Sequence, residues 1–515
     1  MTFIRYKKFG NRVYAYEVTA YYDKEQKRPR QKVKYLGKLT EEGIKRVRSS
    51  SLPRISLNYG DVACLIRIAR DIGLEQTLKS CYGDDVANAI LALAVNRIVR
   101  GTSLRNFKVW YEDTYLSKLT PLQNPSSQNL SRILDSIGLD ERSMMRFFKA
   151  WHERNGVQST ITYDITSLSS SSSHIDILEY GYNRDNDELP QLNLGLVAAM
   201  ETEIPLYFKV FPGSINDVVT LRNLLLEIQS IGMHGTIFIL DRGFYSRTNI
   251  GELSREGMWF VIPMPFHVKE AQQIISRTRV DSPGNAVSFK GRRIYMSNGR
   301  IEIEGEEIGY FLYFDEMRRS KETNTFYSRL IEVETKLNGR KIHSWEQADR
   351  VVEDVAGKLA PYFSWKVVDG TLRLTRRFRT ISRAVNMMGK TILLYNGDMS
   401  WDTALAFYRS RDMIEKMFET IKNDLGTLPL RVHKENTVKG YLLVIFTSLA
   451  LYFGLLRRMR DSGLLKEYSV EGLLLELAKI KKIELLDGSE VTSEVSRKER
   501  AILQKLQLDD IVPKT

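Results

Sequence analysis

Only two cysteines, Cys64 and Cys81, occur in 515 residues, both in a stretch that reads as core helix. That excludes a disulfide scaffold and a cysteine-based zinc site, and it fits a reducing cytoplasm. Histidine is scarce too. His152, His174, His234, His267, His343 and His433 are scattered and form no HxxxH pair, so a catalytic histidine is not expected. No signal peptide opens the chain, since Thr2 to Lys8 is polar and basic. The longest apolar run, Leu442 to Leu456, is shorter than the roughly 20 residues a bilayer needs and reads as a buried core helix. Internal repeats and coiled-coil heptads are absent from the sequence. Acid is short relative to base: 76 Lys and Arg against 63 Asp and Glu give a net charge of +13. That excess favours a polyanionic partner, nucleic acid before membrane, because no basic amphipathic helix or lipidation signal accompanies it.

What is present is enough for a large core. With 43% hydrophobic residues, a chain of this length is expected to form two to four domains. Residues 1–52 alternate like strands, with Val13 to Val18 as one, Lys32 to Leu36 as another, and turns at Gly10-Asn11 and Lys27 to Arg30. Arg5, Lys7, Lys8, Lys32, Lys34 and Lys38 make this a basic β domain suited to DNA backbone, although lysine on a sheet edge also resists aggregation. Ser49 to Pro53 reads as a linker. Residues 53–155 are expected to be a helical DNA-binding region, with Asn124 to Asn129 as a polar break that caps the next helix.

From Ser159 the texture changes to strands at Thr160 to Tyr163, Leu192 to Met200 and Pro205 to Phe211. A helix over Asp217 to Ile231 follows, capped after Asn216; then come a strand at Thr236 to Leu240, a helix over Arg247 to Arg255 and a strand at Met258 to Pro263. Three meandering strands followed by α/β crossovers give a multidomain α/β reading: an RNase H-like mixed sheet with flanking helices. Residues 156–265 form its first part and 391–460 its last, split by a β-rich insertion at 266–390. Residues 461–515 are expected to be a C-terminal helical region.

Two aspartates, Asp164 and Asp241, are expected at the C-terminal ends of apolar strands, where a carboxylate projects from a rigid element into the crevice beyond the sheet. Asp after a strand is also an ordinary turn former. A third carboxylate comes from Tyr408 to Lys422. Read as one α-helix, this stretch sets Tyr408, Arg411, Glu415 and Lys422 within roughly 60° of each other, beside an apolar stripe of Phe407, Ile414, Phe418, Ile421 and Leu425. Converging carboxylates repel unless a cation compensates. Mg²⁺, with oxygen ligands and octahedral geometry, is the natural one, and Mn²⁺ can substitute. Two such ions can activate a water or a 3′-hydroxyl and stabilise the leaving 3′-oxygen in phosphoryl transfer.

The spacing Tyr408-x2-Arg411-x3-Glu415-x6-Lys422 resembles the YREK signature of DDE transposases from bacterial insertion sequences, the insertion-sequence-four group. Tyr163 to Ser167, Glu179 to Asp185 with Leu189-Pro190-Gln191, Pro212-Gly213-Ser214 with Asp217, and Asp241 to Tyr245 resemble the same family. Lys34-Tyr35-Leu36-Gly37 resembles one branch of it. The resemblance implies Asp164, Asp241 and Glu415 as catalytic ligands of two metal ions. It implies Tyr408, Arg411, Lys422 and Arg242 as contacts to double-stranded DNA at the transposon ends and target, in a homodimer of a prokaryotic, nucleoid-associated cytoplasmic protein with no membrane. It further implies cleavage at terminal inverted repeats and joining of 3′ ends, and an aromatic residue of the insertion that stacks on a flipped base, for which Trp345 and Trp365 are candidates. Glu419, one turn beyond Glu415, competes as third ligand, and Asp217 and Asp398 lie near the expected crevice. The run Ser169 to Ser173 is expected to be a flexible loop. A catalytically inactive DNA-binding regulator and a structure-selective nuclease are the alternatives.

Overall fold

The computed structural model describes residues 2–9, 12–23, 28–40, 43–45, 52–155, 160–172, 175–181, 189–215, 217–233 and 235–513. Several expected features fall outside them: the Gly10-Asn11 turn, Ser49 to Ser51 of the linker, the run from Tyr182 to Asp185, the Asn216 cap, and His174 and His234. The chain divides into two units. One comprises Met1–Arg67, Val109–Pro121 and Met459–Thr515; the other comprises Ile68–Lys108 and Leu122–Arg458.

In the first unit, β1 (Thr2–Phe9), β2 (Arg12–Asp23), β3 (Arg28–Thr40) and β4 (Gly43–Lys45) form an antiparallel sheet in chain order. Cross-strand aromatic pairing supports its register: Tyr16 faces Tyr35 with ring centroids 5.2 Å apart. β5 (Pro53–Asn58) begins where the linker was expected to end. It pairs antiparallel with Lys481–Leu485, which in turn pairs with Glu490–Thr492. The C-terminal region is therefore not only helical. Its strands are short, and the partner of one of them lies more than 400 residues away, so no local pattern announces the pairing.

The second unit is built on a nine-stranded mixed sheet. Its strands are β6 (Thr160–Ser169), β7 (Gln191–Ala199), β8 (Pro205–Pro212), β9 (Ile237–Leu240), β10 (Trp259–Pro263), β11 (Ala286–Phe289), β12 (Arg292–Ile303), β13 (Glu306–Phe314) and β16 (Lys390–Tyr395), with β14 (Phe363–Val368) and β15 (Thr371–Arg376) forming a separate hairpin. The sheet order is β11-β12-β13-β16-β10-β9-β6-β7-β8. β6, β7 and β8 run antiparallel, while β6–β9 and β9–β10 are parallel pairs connected through the helices Asp217–Ser230 and Arg247–Arg255. Central strands are covered on both faces: all nine residues of β7 are buried, and every residue of β6 except Asp164.

The segment expected as a β-rich insertion differs in two ways. Its strands β11 to β13 do not form their own sheet; β13 pairs with β16 and extends the main one. The remainder is largely helical, with Glu316–Leu337, Trp345–Ala356 and Phe378–Met387 enclosing the β14–β15 hairpin around Leu330, Leu337, Val352, Phe363 and Leu372.

The helices of 68–108 and 122–155 share a core with this sheet. Trp151 donates from Nε1 to the Pro205 carbonyl at 2.9 Å, and Phe148 packs on Tyr207 at 4.7 Å and on Phe446 at 5.4 Å. Ser126 caps the helix Ser127–Leu139, as the polar break suggested. The helix Glu435–Asp461 is the one helix among the described residues long and apolar enough to cross a membrane, and 83% of its apolar window is buried inside the protein.

Candidate active site

Parallel pairing between β6 and β9 ends at Tyr163 opposite Leu240. The next residue on each chain is Asp164 and Asp241, so the register delivers the two carboxylates side by side. Asp164 is not at a strand end, however. β6 runs on to Ser169, held by β7 through the pair Ser169–Gln191. The strand loses its neighbour on one edge and keeps it on the other, which leaves Asp164 partly accessible on rigid backbone. Beneath it Tyr163 is fully buried, with its ring 5.0 Å from Phe244. Asp241 precedes the short 3₁₀ turn Arg242–Phe244; its carbonyl accepts from the Phe244 N–H at 3.1 Å, and its carboxylate makes no cap bond. The turn and site readings of this aspartate are thus both realised, one by backbone and one by side chain.

The serine run is not a flexible loop over its described residues. Ser170 and Ser172 are buried, Ser170 donates to the Leu430 carbonyl at 3.0 Å, and the Leu430 N–H donates to Ser169 at 2.9 Å. A parallel bridge from a distant segment supplies partners that the local composition does not reveal.

The third carboxylate arrives on a broken helix. In place of one continuous element over 408–422, the chain forms Trp401–Ser410, then Asp412–Glu419, then a π-helical turn Thr420–Asp424. Arg411 is the junction. Its N–H reaches the Tyr408 carbonyl at 3.4 Å and its carbonyl accepts from Ile414 at 3.0 Å, both tightened i→i+3 bonds. In the π turn the Leu425 N–H bonds to Thr420 at 2.9 Å. Of the expected apolar stripe, Ile414, Phe418, Ile421 and Leu425 are buried and Phe407 only partly so, while Met417 is buried beside them.

The guanidinium of Arg411 binds all three carboxylates. It lies 2.9 Å from Asp241 Oδ1, 3.8 Å from Asp164 Oδ2, and donates to Glu415 Oε1 at 2.7 Å. Arg411 is half-buried, and burial alone would lower its pKa. Asp241, Asp164 and Glu415 outweigh that and hold the guanidinium above its ordinary value. Its Cζ also lies 6.0 Å from the Tyr408 ring.

Among the described residues, no group of three or more histidine, cysteine, aspartate or glutamate side chains is arranged to hold a metal ion. The donor set nevertheless fits a hard divalent cation. Three carboxylates from three elements converge where a positive charge already sits, and they offer oxygen ligands alone.

Of the other expected residues, Arg242 is exposed directly after Asp241, Tyr408 is half-buried beside Arg411, and Lys422 lies half-buried in the π turn. Glu419 is exposed and is not among the carboxylates that Arg411 binds. Asp398 is also exposed. Trp345 is exposed at the start of its helix, whereas Trp365 donates to Asp349 at 2.8 Å and packs on the insertion core. The motif pieces around Glu179 and Gly213 meet away from the carboxylates. Glu179 and Gln191 exchange backbone bonds at 3.0 Å, and Gln191 and Asn193 both donate to the Gly213 carbonyl at 3.2 Å. Gly181 passes so close to Gly213 that a β-carbon would meet its carbonyl oxygen at 2.3 Å. These residues build the fold around the site. What sequence reasoning missed was the partner of Arg411: its four-residue spacing from Glu415 signalled an ion pair on one helix face.

No curated protein matches the chain. Among solved structures, a piggyBac transposase synaptic complex with hairpin DNA is similar over 84% of this chain and 76% of that chain, at 10% identity and a TM-score of 0.39. The family model of the transposase DDE domain matches residues 159–451, which include Asp164, Asp241 and Glu415. That match spans more than half of the 515 residues, and the chain belongs to the transposase DDE-domain family.

Proposed function

We propose that this protein is a DNA transposase of the insertion-sequence-four type. It binds the terminal inverted repeats of its element, cleaves the donor DNA and joins the 3′ ends to target DNA. The observation that carries this reading is the convergence of Asp164, Asp241 and Glu415 on one cationic group. The order β8-β7-β6-β9-β10, three antiparallel strands followed by two parallel ones, supports an RNase H-like catalytic core.

Asp164, Asp241 and Glu415 would hold two divalent ions, Mg²⁺ with Mn²⁺ as substitute, which when bound supply Lewis-acid stabilisation of the charge that develops in phosphoryl transfer. The chain supplies the rest. β6 and β9 fix two carboxylates on buried strands, so little reorganisation is needed when substrate arrives. Arg411, Lys422 and the exposed Arg242 offer charge-assisted hydrogen bonds to phosphate oxygens, and Tyr408 presents a ring beside them. The basic β1–β4 sheet adds electrostatic affinity for the DNA backbone, and two copies acting as a homodimer would bring two ends together.

The test is incubation of the full chain with Mg²⁺, end-containing DNA and a second duplex. Cleavage and 3′-end joining are expected. Asp164→Ala, Asp241→Ala and Glu415→Ala should each reduce cleavage at least about 100-fold while binding to the ends survives. Cleavage that survives one substitution removes that residue from the metal site. Hydrolysis without joining identifies a structure-selective nuclease, and binding without cleavage identifies a regulator.

A further inference from the structure

We propose that Arg411 is a displaceable counter-ion of the carboxylate cluster, so that metal loading and DNA binding are coupled through this one side chain. This rests on the reading of Asp164, Asp241 and Glu415 as metal ligands.

Three observations carry it. The first is occupancy: one guanidinium nitrogen serves Asp241 and Asp164, and another serves Glu415, so the positive group stands where a shared cation would. The second is accessibility. Only 15% of the Arg411 side chain and 16% of Asp164 are exposed, against 36% of Asp241 and 52% of Glu415, so a cation can approach Asp241 and Glu415 from solvent while the guanidinium lies deeper, beside Asp164. The third is the backbone. Arg411 sits between two helices, at a point where the i→i+4 ladder is replaced by i→i+3 bonds, one as long as 3.4 Å. A residue there is less constrained than one in the middle of a helix.

The guanidinium and a divalent ion compete for the same carboxylate oxygens, because the lone pairs that Arg411 engages are withheld from a metal and the two like charges repel at contact distance. Entry of a divalent ion therefore displaces the guanidinium. The freed group keeps its charge and a fork of N–H donors suited to a phosphate, so DNA offers it a new partner. Linkage then requires the two ligands to help each other: metal frees the arginine for DNA, and DNA that captures the arginine clears the carboxylates for metal.

The experiment is calorimetric titration of the full-length protein with Mg²⁺, without and with end-containing DNA, for the wild type, Arg411→Gln, Arg411→Lys and Asp241→Asn. Without DNA, Arg411→Gln should bind Mg²⁺ at least about 5-fold more tightly than wild type, and Arg411→Lys should return towards the wild-type value. DNA should tighten Mg²⁺ binding to the wild type and leave Arg411→Gln unchanged. Metal-free Arg411→Gln should also melt at a lower temperature, with Mg²⁺ restoring the loss. The proposal is overturned if Arg411→Gln binds Mg²⁺ no better than wild type while Asp241→Asn still abolishes binding. If Asp241→Asn leaves Mg²⁺ binding intact, the assignment of the carboxylates as ligands fails instead.

Discussion

Gly195 lies beside the buried Tyr163 ring, and a β-carbon there would meet its Cε2 and hydroxyl at 2.9 Å. Tyr163 cannot yield, because it is fully buried against Phe244 and its neighbour Asp164 faces the site. Gly195→Ala should therefore destabilise the protein by about 1–3 kcal/mol, read as a lower melting temperature. A second single-residue effect concerns Asp61, which is buried with its carboxylate bonded to the Val62 N–H at 2.8 Å. Burial pushes its pKa up to about 6, with the backbone bond opposing. Below pH ~4 the group is protonated in both the folded and the unfolded state. As pH rises towards 6 the unfolded chain releases its proton first, so stability falls, by at most on the order of 3 kcal/mol. Asp61→Asn should gain stability over wild type progressively between pH 4 and 7, measured by denaturant titration across that range. A single gain independent of pH would refute the assignment. At this scale the sequence was informative about chemistry and silent about partners. Asp164, Asp241 and Glu415 were singled out by residue type and by the resemblance of their motifs; that Arg411 ties them together depends on three elements meeting.

Helices Ser127–Leu139 and Glu435–Asp461 cross where both carry glycine. A β-carbon on Gly138 would lie 1.9 Å from the Asn436 carbonyl oxygen, and one on Gly440 would lie 2.0 Å from that of Leu134. Alanine gains up to about 1 kcal/mol in helix propensity. Here it also pushes backbone against backbone, which side-chain rotation cannot relieve. The clash wins, and Gly138→Ala or Gly440→Ala should each cost about 2 kcal/mol net, checked by chemical denaturation. The segment 407–425 shows what periodicity reveals. Its largely buried stripe was legible because a helix repeats every 3.6 residues. The break at Arg411 and the π turn at Thr420–Asp424 were not, since no proline or glycine marks them and packing decides where a ladder slips.

For the whole molecule, a net charge of +13 predicts DNA affinity that falls with salt. The logarithm of the binding constant should decline linearly with the logarithm of salt concentration, and Arg411→Ala or Lys422→Ala should each reduce the slope by about one. Fluorescence anisotropy with labelled end DNA between low and moderate salt provides the measurement; unchanged slopes would take these residues off the phosphates. Global architecture divides in the same way. The meander β6 to β8 and the two helix crossovers that lead to β9 and β10 are encoded within short windows, each strand being a dense apolar run. The joining of β11–β13 to the main sheet, and of β5 to Lys481–Leu485, links segments distant in sequence.

The sequence by itself determined the chemistry available to this protein: carboxylates after apolar runs and on one helix face, basic residues on that same face, a surplus of positive charge and no thiol or histidine cluster. Those follow from residue type and local periodicity, which need no partner. Only the tertiary structure decided that Asp164 is partly accessible in the middle of a strand and that Ser169 and Ser170 are held in place. It also decided that Arg411 fills the position between the carboxylates. Each of these depends on which distant segment supplies the neighbouring atoms, and local propensity carries no information about that.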